Sequence, residues 1–171
     1  MWAGSRVMGR CDSGPMVMTG RITSSDHAAG FRSILSPLLF RAKEAPVYAR
    51  VMASFDPKAC EALGRTFARN QTWHVPTLIR LRTMHFSDDP QYRSNSNLAY
   101  LDAPTRAAWE KAALQWEQTV PADATRTFRD YYKLQQQTVL LLKRQGVKML
   151  AGSDYGGIWV LPGFGLHQES Q

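Results

Sequence analysis

Apolar side chains spaced three and four positions apart predict that much of this chain is helical. The first such stretch covers residues 37–52. Pro46 lies inside it and predicts a break into two pieces, because proline lacks the N–H of the helical hydrogen bond and its ring clashes with the preceding turn. A longer amphipathic stretch covers residues 123–145, and Gly146 is predicted to end it. The predicted buried face of this longer helix consists of Phe128, Tyr131, Leu134, Thr138, Leu141 and Leu142.

Two more helices carry start signals in the sequence. Asp56 followed by Pro57 is typical of an N-cap and a first helical position, and Asn70 is the predicted left-handed residue at the end of that helix. Asp102 followed by Ala103 and Pro104 marks the second start. The predicted apolar faces are Cys60, Leu63 and Phe67 in the first helix and Ala108, Trp109, Ala112, Ala113 and Trp116 in the second.

Four short segments have the composition of β-strands. Residues 15–20 and 147–150 are apolar runs, and residues 31–35 are also of strand length. Residues 72–78 are rich in β-branched and aromatic side chains. Pro76 is predicted to lie at the carboxyl end of this segment, because proline cannot donate a hydrogen bond to a neighbouring strand.

Strand and helix segments alternate along the chain, which favours an α/β fold built on a parallel sheet. Residues 1–13 show no clear period and are predicted to be irregular, whereas residues 14–171 are predicted to form one domain. The polar, turn-rich residues 83–103 are predicted to be an exposed excursion. Four parallel strands cannot close an eight-stranded barrel, so we expect the chain to represent part of a larger domain.

Composition and charge narrow the class of protein. Hydrophobic residues make up 44% and charged residues 20% of the chain, as is typical of globular domains. No apolar run approaches the ~20 residues of a membrane helix, and no apolar signal-peptide segment follows Met1. The formal net charge is +7, but lysine and arginine are scattered, so we expect neither a nucleic-acid nor a membrane partner. A basic nucleic-acid-binding domain is the alternative that this charge allows.

Asp154 is the best catalytic candidate in the sequence. It follows the apolar segment 147–150, and parallel α/β barrels place catalytic groups at the carboxyl ends of their strands. A turn or N-cap aspartate is the alternative interpretation. The four histidines show no His-x-His or His-x-x-x-His spacing for a shared metal. His74 is predicted to be structural, His85 to lie on the surface, and His167 to orient the last loop or cap a helix.

Two motifs resemble a known family. Residues 151–154 (Ala-Gly-Ser-Asp) and 161–169 (Leu-Pro-Gly-Phe-Gly-Leu-His-Gln-Glu) resemble the last strand and following loop of the amidohydrolase superfamily. The similar branch contains the imidazolonepropionases and the metal-dependent dipeptidases. Residues 70–78 (Asn-Gln-Thr-Trp-His-Val-Pro-Thr-Leu) resemble the seventh strand of that family, and residues 29–34 resemble the beginning of its sixth. The likeness covers about residues 14–169.

This resemblance implies a partial (β/α)8 TIM barrel, about strands 5–8, with a helical insertion between strands 7 and 8. It also implies a hydrolase in which one or two divalent metals, zinc being the expected one, activate a water molecule. That water attacks a carbon-nitrogen bond in a small-molecule or dipeptide-like substrate. Asp154 occupies the place of the family's aspartate, which binds metal and takes the proton from the water. A bound metal lowers the pKa of water from ~15.7 to roughly 7, which makes such chemistry possible at neutral pH.

Other positions depart from the family pattern. Arg21 stands where the fifth-strand histidine is expected, and Leu35-Ser36 stand where the sixth strand has Glu-His. Neither arginine nor serine replaces imidazole as a ligand, and a catalytic zinc ordinarily has three protein ligands. The first-strand His-x-His and the fourth-strand lysine or glutamate have no counterpart in this sequence. We therefore expect an amidohydrolase-family chain that is inactive alone; the alternative is a non-catalytic remnant or interaction module that has lost its metal ligands.

Overall fold

The computed structural model describes residues 9–10, 16–17 and 37–170, with side chains from residue 44 onward. The helices are α1 (Pro37–Ala53), α2 (Pro57–Arg69), α3 (Leu78–His85), α4 (Pro90–Arg93), α5 (Ala103–Thr119), α6 (Ala122–Arg144) and α7 (Phe164–Glu169). A 3₁₀ turn covers Ser96–Tyr100. The strands are β1 (Gly9–Arg10), β2 (Met16–Val17), β3 (Trp73–His74) and β4 (Lys148–Met149).

Helix α6 is the element against which α1, α2 and α3 all pack. It is 23 residues long, and its predicted face is buried at Phe128, Tyr131, Leu134, Thr138 and Leu142. Its prediction from the sequence is therefore confirmed, to within one residue at each end. Gly146 follows with φ 84°, a left-handed conformation that glycine adopts without a steric penalty.

The predicted fold class is wrong for the part of the chain that the structure describes. That part is mostly helical and has a single parallel strand pair, β3 with β4, instead of strands 5–8 of a barrel. The other pair, β1 with β2, is antiparallel. Segment 72–78 keeps only two strand residues because Pro76 cannot donate to a ladder and helix α3 begins at Leu78. The predicted strand at residues 31–35 lies outside the described residues.

Helix start signals were more accurate than the strand signals. Asp56 caps α2 by accepting from the Lys58 N–H at 2.9 Å, and Asp102 caps α5 by accepting from the Thr105 N–H at 2.8 Å. Both predicted caps are confirmed. The predicted left-handed residue at the end of α2 is displaced by one position, since Asn70 has φ −82° and Gln71 has φ 53°.

Helix α1 runs through Pro46 without the predicted break. Pro46 is exposed to solvent, where the carbonyl group that loses its hydrogen-bond donor can bind water instead. The helix also packs along α5 and α6, and Tyr48 stacks on Tyr131 of α6 with ring centroids 4.4 Å apart. These tertiary contacts offset the local cost of the proline.

A small apolar cluster joins α2 to the end of α6. Cys60, Phe67, Leu142 and Val147 form it, and Cys60, which is disulfide-bonded, is fully buried. Gly64 permits the close approach of the two helices, because a Cβ at that position would lie 2.9 Å from Cβ of Gln145.

A larger apolar cluster, which contains Trp109, Trp116 and Phe128, takes in Tyr92 and Leu98 from residues 83–103, the segment that the sequence predicted to be an exposed excursion. Residues 83–103 contribute the buried side chains Thr83, His85, Ser87, Tyr92 and Leu98. The excursion prediction is therefore wrong, and so is the surface position predicted for His85. Many of the polar residues here satisfy the backbone: Asp89 and Asn95, for example, accept hydrogen bonds from N–H groups two positions later. Their few apolar neighbours are thereby free to face α5 and α6.

The loop after β4 completes this larger cluster. Residues 158–161 are all buried, and Trp159 lies between Tyr92 and Trp109, with ring centroids 6.2 and 5.7 Å away. The Trp159 indole N–H donates to the Ser87 carbonyl oxygen at 3.1 Å. No helix in the described part of the chain is long and apolar enough to cross a membrane.

Phe67→Ala should lower the free energy of unfolding by about 3–5 kcal/mol, since it removes a fully buried ring from the α2–α6 cluster. Urea denaturation measures the change. Leu114→Ala is the control, because Leu114 is about half exposed on α5 and its truncation should cost less than about 1 kcal/mol. Equal losses in the two variants would contradict the packing described here.

Candidate functional site

The two segments that carry the family resemblance meet in the parallel strand pair. Trp73 pairs with Lys148 and His74 with Met149, and the Leu150 N–H donates to the His74 carbonyl oxygen at 2.9 Å. Both strands therefore point their carboxyl ends to the same edge. The loop that carries Asp154 lies at that edge beside the start of α3, as the Asp154 contacts show.

Asp154 contacts a basic side chain that the sequence analysis did not single out. Its Oδ2 lies 3.8 Å from Nε of Arg80 on α3. The Asp154 side chain is 57% exposed, whereas that of Arg80 is only 20% exposed. Asp154 also has φ 46°, a left-handed conformation that is uncommon for residues other than glycine, asparagine and aspartate. Aspartate is therefore a residue type that suits this turn, and its carboxylate faces a guanidinium group.

Arg80 is held by packing as well as by charge. Its guanidinium group lies where a Cβ at position 157 would be, so any larger residue than Gly157 would force this side chain to move. Burial lowers the pKa of Arg80, and the nearby Asp154 carboxylate opposes that shift. Nη1 of Arg80 is buried and has no hydrogen-bond partner among the described residues. The Asp154 carboxylate is the charge that compensates this cation.

The described residues do not fit the metal that the resemblance implies. They contain no group of three His, Cys, Asp or Glu side chains placed to hold a metal ion. The one predicted ligand, Asp154, already faces a cation, and a second cation on the same carboxylate would be repelled by Arg80. The departures at Arg21 and Ser36 lie outside the described residues. The metal-binding and catalytic roles of Asp154 stay predictions, and no reaction step follows from the arrangement.

Glu169 lies on the other side of this region, and its role there was not predicted from the sequence, although it ends the motif at residues 161–169. Its two carboxylate oxygens accept from the Leu78 and Ile79 N–H groups at 2.8 and 2.6 Å. These N–H groups begin α3, whose N-cap residue Thr77 has φ 49° and makes no side-chain cap bond. Glu169 therefore caps α3 from 90 positions further along the chain. It holds the helix that carries Arg80.

The histidines near these loops have separate structural environments. His74 on β3 is buried, as the prediction of a structural role requires, and burial lowers its pKa. His85 stacks on Phe128 with ring centroids 5.6 Å apart, inside the core. His167 lies exposed on α7, whose N-cap residue Gly163 makes no side-chain cap bond.

Only Asp154 of this region could be identified from the sequence. Arg80 lies far from it along the chain and outside these motifs, and Glu169 ends the motif at residues 161–169 without any signal that it caps α3, so both roles follow from the fold alone. Comparison with known proteins found no matching family model, no matching curated protein and no matching solved structure.

Glu169→Ala should lower the free energy of unfolding by about 1–2 kcal/mol, because two N–H groups at the start of α3 lose their acceptor. Urea denaturation measures the loss, and backbone amide hydrogen exchange should show faster exchange at Leu78 and Ile79. Ser170→Ala, one position later, is the control and should leave exchange at these two amides unchanged. Unchanged exchange in Glu169→Ala would show that the cap does not protect α3.

The stability of the protein should also depend on the protonation of Glu169. Burial raises its pKa above the ordinary 4.5, and hydrogen bonds from Ile79 and Leu78 only partly oppose the shift. The folded state therefore binds more protons than the unfolded state from pH 4.5 up to the raised pKa, and the contribution of Glu169 to stability falls as pH rises through that window.

Urea midpoints measured at a series of pH values test this dependence. Glu169→Gln should remove the part of the fall in stability with rising pH that Glu169 causes. The matched Glu110→Gln change on α5 should leave that fall in place. A Glu169→Gln protein whose pH dependence equals that of the unaltered chain would contradict the prediction.

Proposed function

We propose that this chain is a non-catalytic relative of the metal-dependent amidohydrolases that acts as a binding or interaction module. The motifs at residues 70–78 and 151–154 support the relationship, because each resembles the family in its amino-acid sequence. The two motifs also lie near each other in space, since β3 pairs with β4, which comes just before residue 151. The relationship concerns these motifs and does not extend to the barrel, which the mostly helical fold contradicts.

The observation that carries the proposal is the pairing of Asp154 with Arg80. Metal-assisted hydrolysis needs a carboxylate that is available to a metal ion and to a water proton. Here the carboxylate compensates the charge of a largely buried guanidinium group 3.8 Å away. An arginine keeps its positive charge throughout the range in which proteins are folded, so this pairing persists at neutral pH. The arrangement therefore favours a structural role for the carboxylate at the loop edge.

Hydrolysis of a carbon-nitrogen bond by metal-activated water is the second candidate function. The motif at residues 151–154 and the strand-end position of Asp154 favour it. This chemistry needs further ligands, and the described residues supply no cluster that could hold a metal ion. An in-frame upstream coding segment with a His-x-His motif would support this candidate over the first.

Calorimetric titration with zinc and an amide-hydrolysis assay on dipeptides distinguish the two candidates. The non-catalytic candidate predicts that zinc does not bind stoichiometrically. It also predicts that any hydrolysis seen in the assay is the same for the unaltered chain and for Asp154→Asn. Arg80→Met keeps the alkyl part of the side chain and removes the competing charge, so any zinc affinity of Asp154 should rise in that variant. Arg82→Met, an exposed neighbour on the same helix, is the matched control. One zinc ion bound tightly by the unaltered chain, and lost in Asp154→Asn, would overturn the proposal.

A further inference from the structure

The carboxyl ends of α2 and α6 lie side by side, at the amino end of the β3–β4 pair. Arg65 of α2 donates through Nη1 to Oε1 of Gln145, just after α6, at 3.4 Å. A Cβ at Gly146 would lie 3.9 Å from Cβ of Ala68. From each helix end the chain continues into one of the two paired strands. Residues that are far apart in the sequence therefore share one surface here.

Basic side chains gather at this place. Arg65 and Arg69 are four positions apart on α2, so they are neighbours on that helix. Arg144 ends α6, and Lys148 begins β4. All four side chains are exposed, and together they form what we call the basic surface. Lysine and arginine are scattered along the sequence, but the fold brings these four together.

Little negative charge opposes the basic surface. Glu61 is the only acidic residue from position 57 to position 87 of the sequence, and residues 131–153 contain none. Glu61 lies 3.9 Å from Arg65, and no ion pair within the described residues includes the other three basic side chains. Cations also stabilise the carboxyl ends of helices, but each end carries only about half a negative charge. Glu61 and the two helix ends therefore leave the surface positively charged.

An exposed aromatic ring lies beside these cations. Trp73 of β3 is 51% exposed, whereas the other described tryptophans are buried. Lys148 pairs with Trp73 across the strands, and its Nζ lies 5.3 Å from the centroid of the Trp73 ring. Val75 and Leu150 lie two positions further along the two strands, on the same face, and are partly covered. The strand pair thus presents one aromatic ring with positive charge around it.

We propose that this surface binds single-stranded nucleic acid. One base stacks on the Trp73 ring, and the phosphates on either side of that base bind the four basic side chains. Stacking of a base on an aromatic ring is stronger than an exposed cation–π contact, so Lys148 leaves the ring and binds a phosphate. A duplex keeps its bases stacked on one another and cannot use the ring. An anionic bilayer would need protruding apolar side chains, but Val75 and Leu150 are partly covered.

The first test is a fluorescence-anisotropy titration of a labelled twelve-nucleotide oligothymidylate with the full chain. The dissociation constant should be about 1–100 μM at about 50 mM salt. The logarithm of the binding constant should fall with the logarithm of the salt concentration with a slope of about −2 to −3, because each phosphate that binds a cation contributes roughly −0.7. An oligouridylate of equal length should give the same slope, and the tighter of the two strands identifies the nucleic acid as DNA or RNA.

An abasic oligomer separates stacking from charge. It carries the same phosphates without the bases, so it should bind about tenfold more weakly than oligothymidylate. Trp73→Val keeps a strand-forming residue and should weaken oligothymidylate binding by about the same factor without changing the salt slope. The abasic oligomer should bind equally to this variant and to the unaltered chain. Circular dichroism checks that the variant is folded.

Lys148→Gln and Arg126→Gln are the matched variants for charge, and both replaced side chains are exposed. Lys148→Gln should weaken oligothymidylate binding about fivefold and make the salt slope shallower by about 0.7. Arg126 lies near the other end of α6, about 27 Å from Arg144 at 1.5 Å per residue, which is well beyond the screening length of about 8 Å. Arg126→Gln should therefore change neither quantity. These two variants test the proposal even if Trp73→Val does not fold.

Four results would overturn the proposal. Oligothymidylate could fail to bind at low salt, the abasic oligomer could bind as tightly as oligothymidylate, or Arg126→Gln could weaken binding as much as Lys148→Gln. Tighter binding of a duplex, of polyglutamate or of phosphatidylserine vesicles would assign the surface to a different partner. The basic surface does not depend on the amidohydrolase relationship. The zinc and hydrolysis assays report on Asp154 instead, so failure of either proposal leaves the other one standing.

Discussion

Burial of Trp159 is the interaction that fixes the loop after β4 against α4 and α5. The loop after β4 would otherwise carry four consecutive apolar residues, 158–161, into solvent. Instead the Trp159 indole ring packs between Tyr92 and Trp109 and gives its one N–H to the Ser87 carbonyl. Three separate parts of the chain are thereby joined around one side chain. The left-handed backbone of Trp159, φ 60°, is tolerated because these surroundings fix it.

The loop that holds Asp154 takes its position from this anchor on one side and from charge on the other. Arg80 and Glu169 both connect this loop to α3. Arg80 of α3 faces the Asp154 carboxylate, and Glu169 caps the first turn of the same helix. The result is a well-supported turn with a compensated charge. Support of this kind holds the Asp154 carboxylate at one place beside Arg80.

Local signals in the sequence were sufficient for features that depend only on residues nearby in the chain. The caps at Asp56 and Asp102, the long face of α6 and the glycine at 146 all depend on neighbours a few positions away. The fold class failed because the segments at residues 72–78 and 147–150 form only two strand residues each and pair only with one another, while most of the described chain packs as helices. The burial of His85 depends on helices distant in sequence, and the polar residues next to it in the chain led to the prediction of a surface position. Likewise Asp154 could be singled out from its motif, whereas its partner Arg80 could not.

The contacts of Glu169 also constrain the order in which the molecule can acquire its structure. The first turn of α3 obtains its acceptor from a residue 90 positions later, and a loop of that length forms slowly because its ends must first find each other. During synthesis α3 emerges long before α7 exists, so its amino end has only water to bind its N–H groups. We therefore expect the first turn of α3 to gain its cap late, when the last described helix docks. We expect protein made without α7 to lack the acceptor for the first turn of α3 and so to hold Arg80 less firmly beside Asp154.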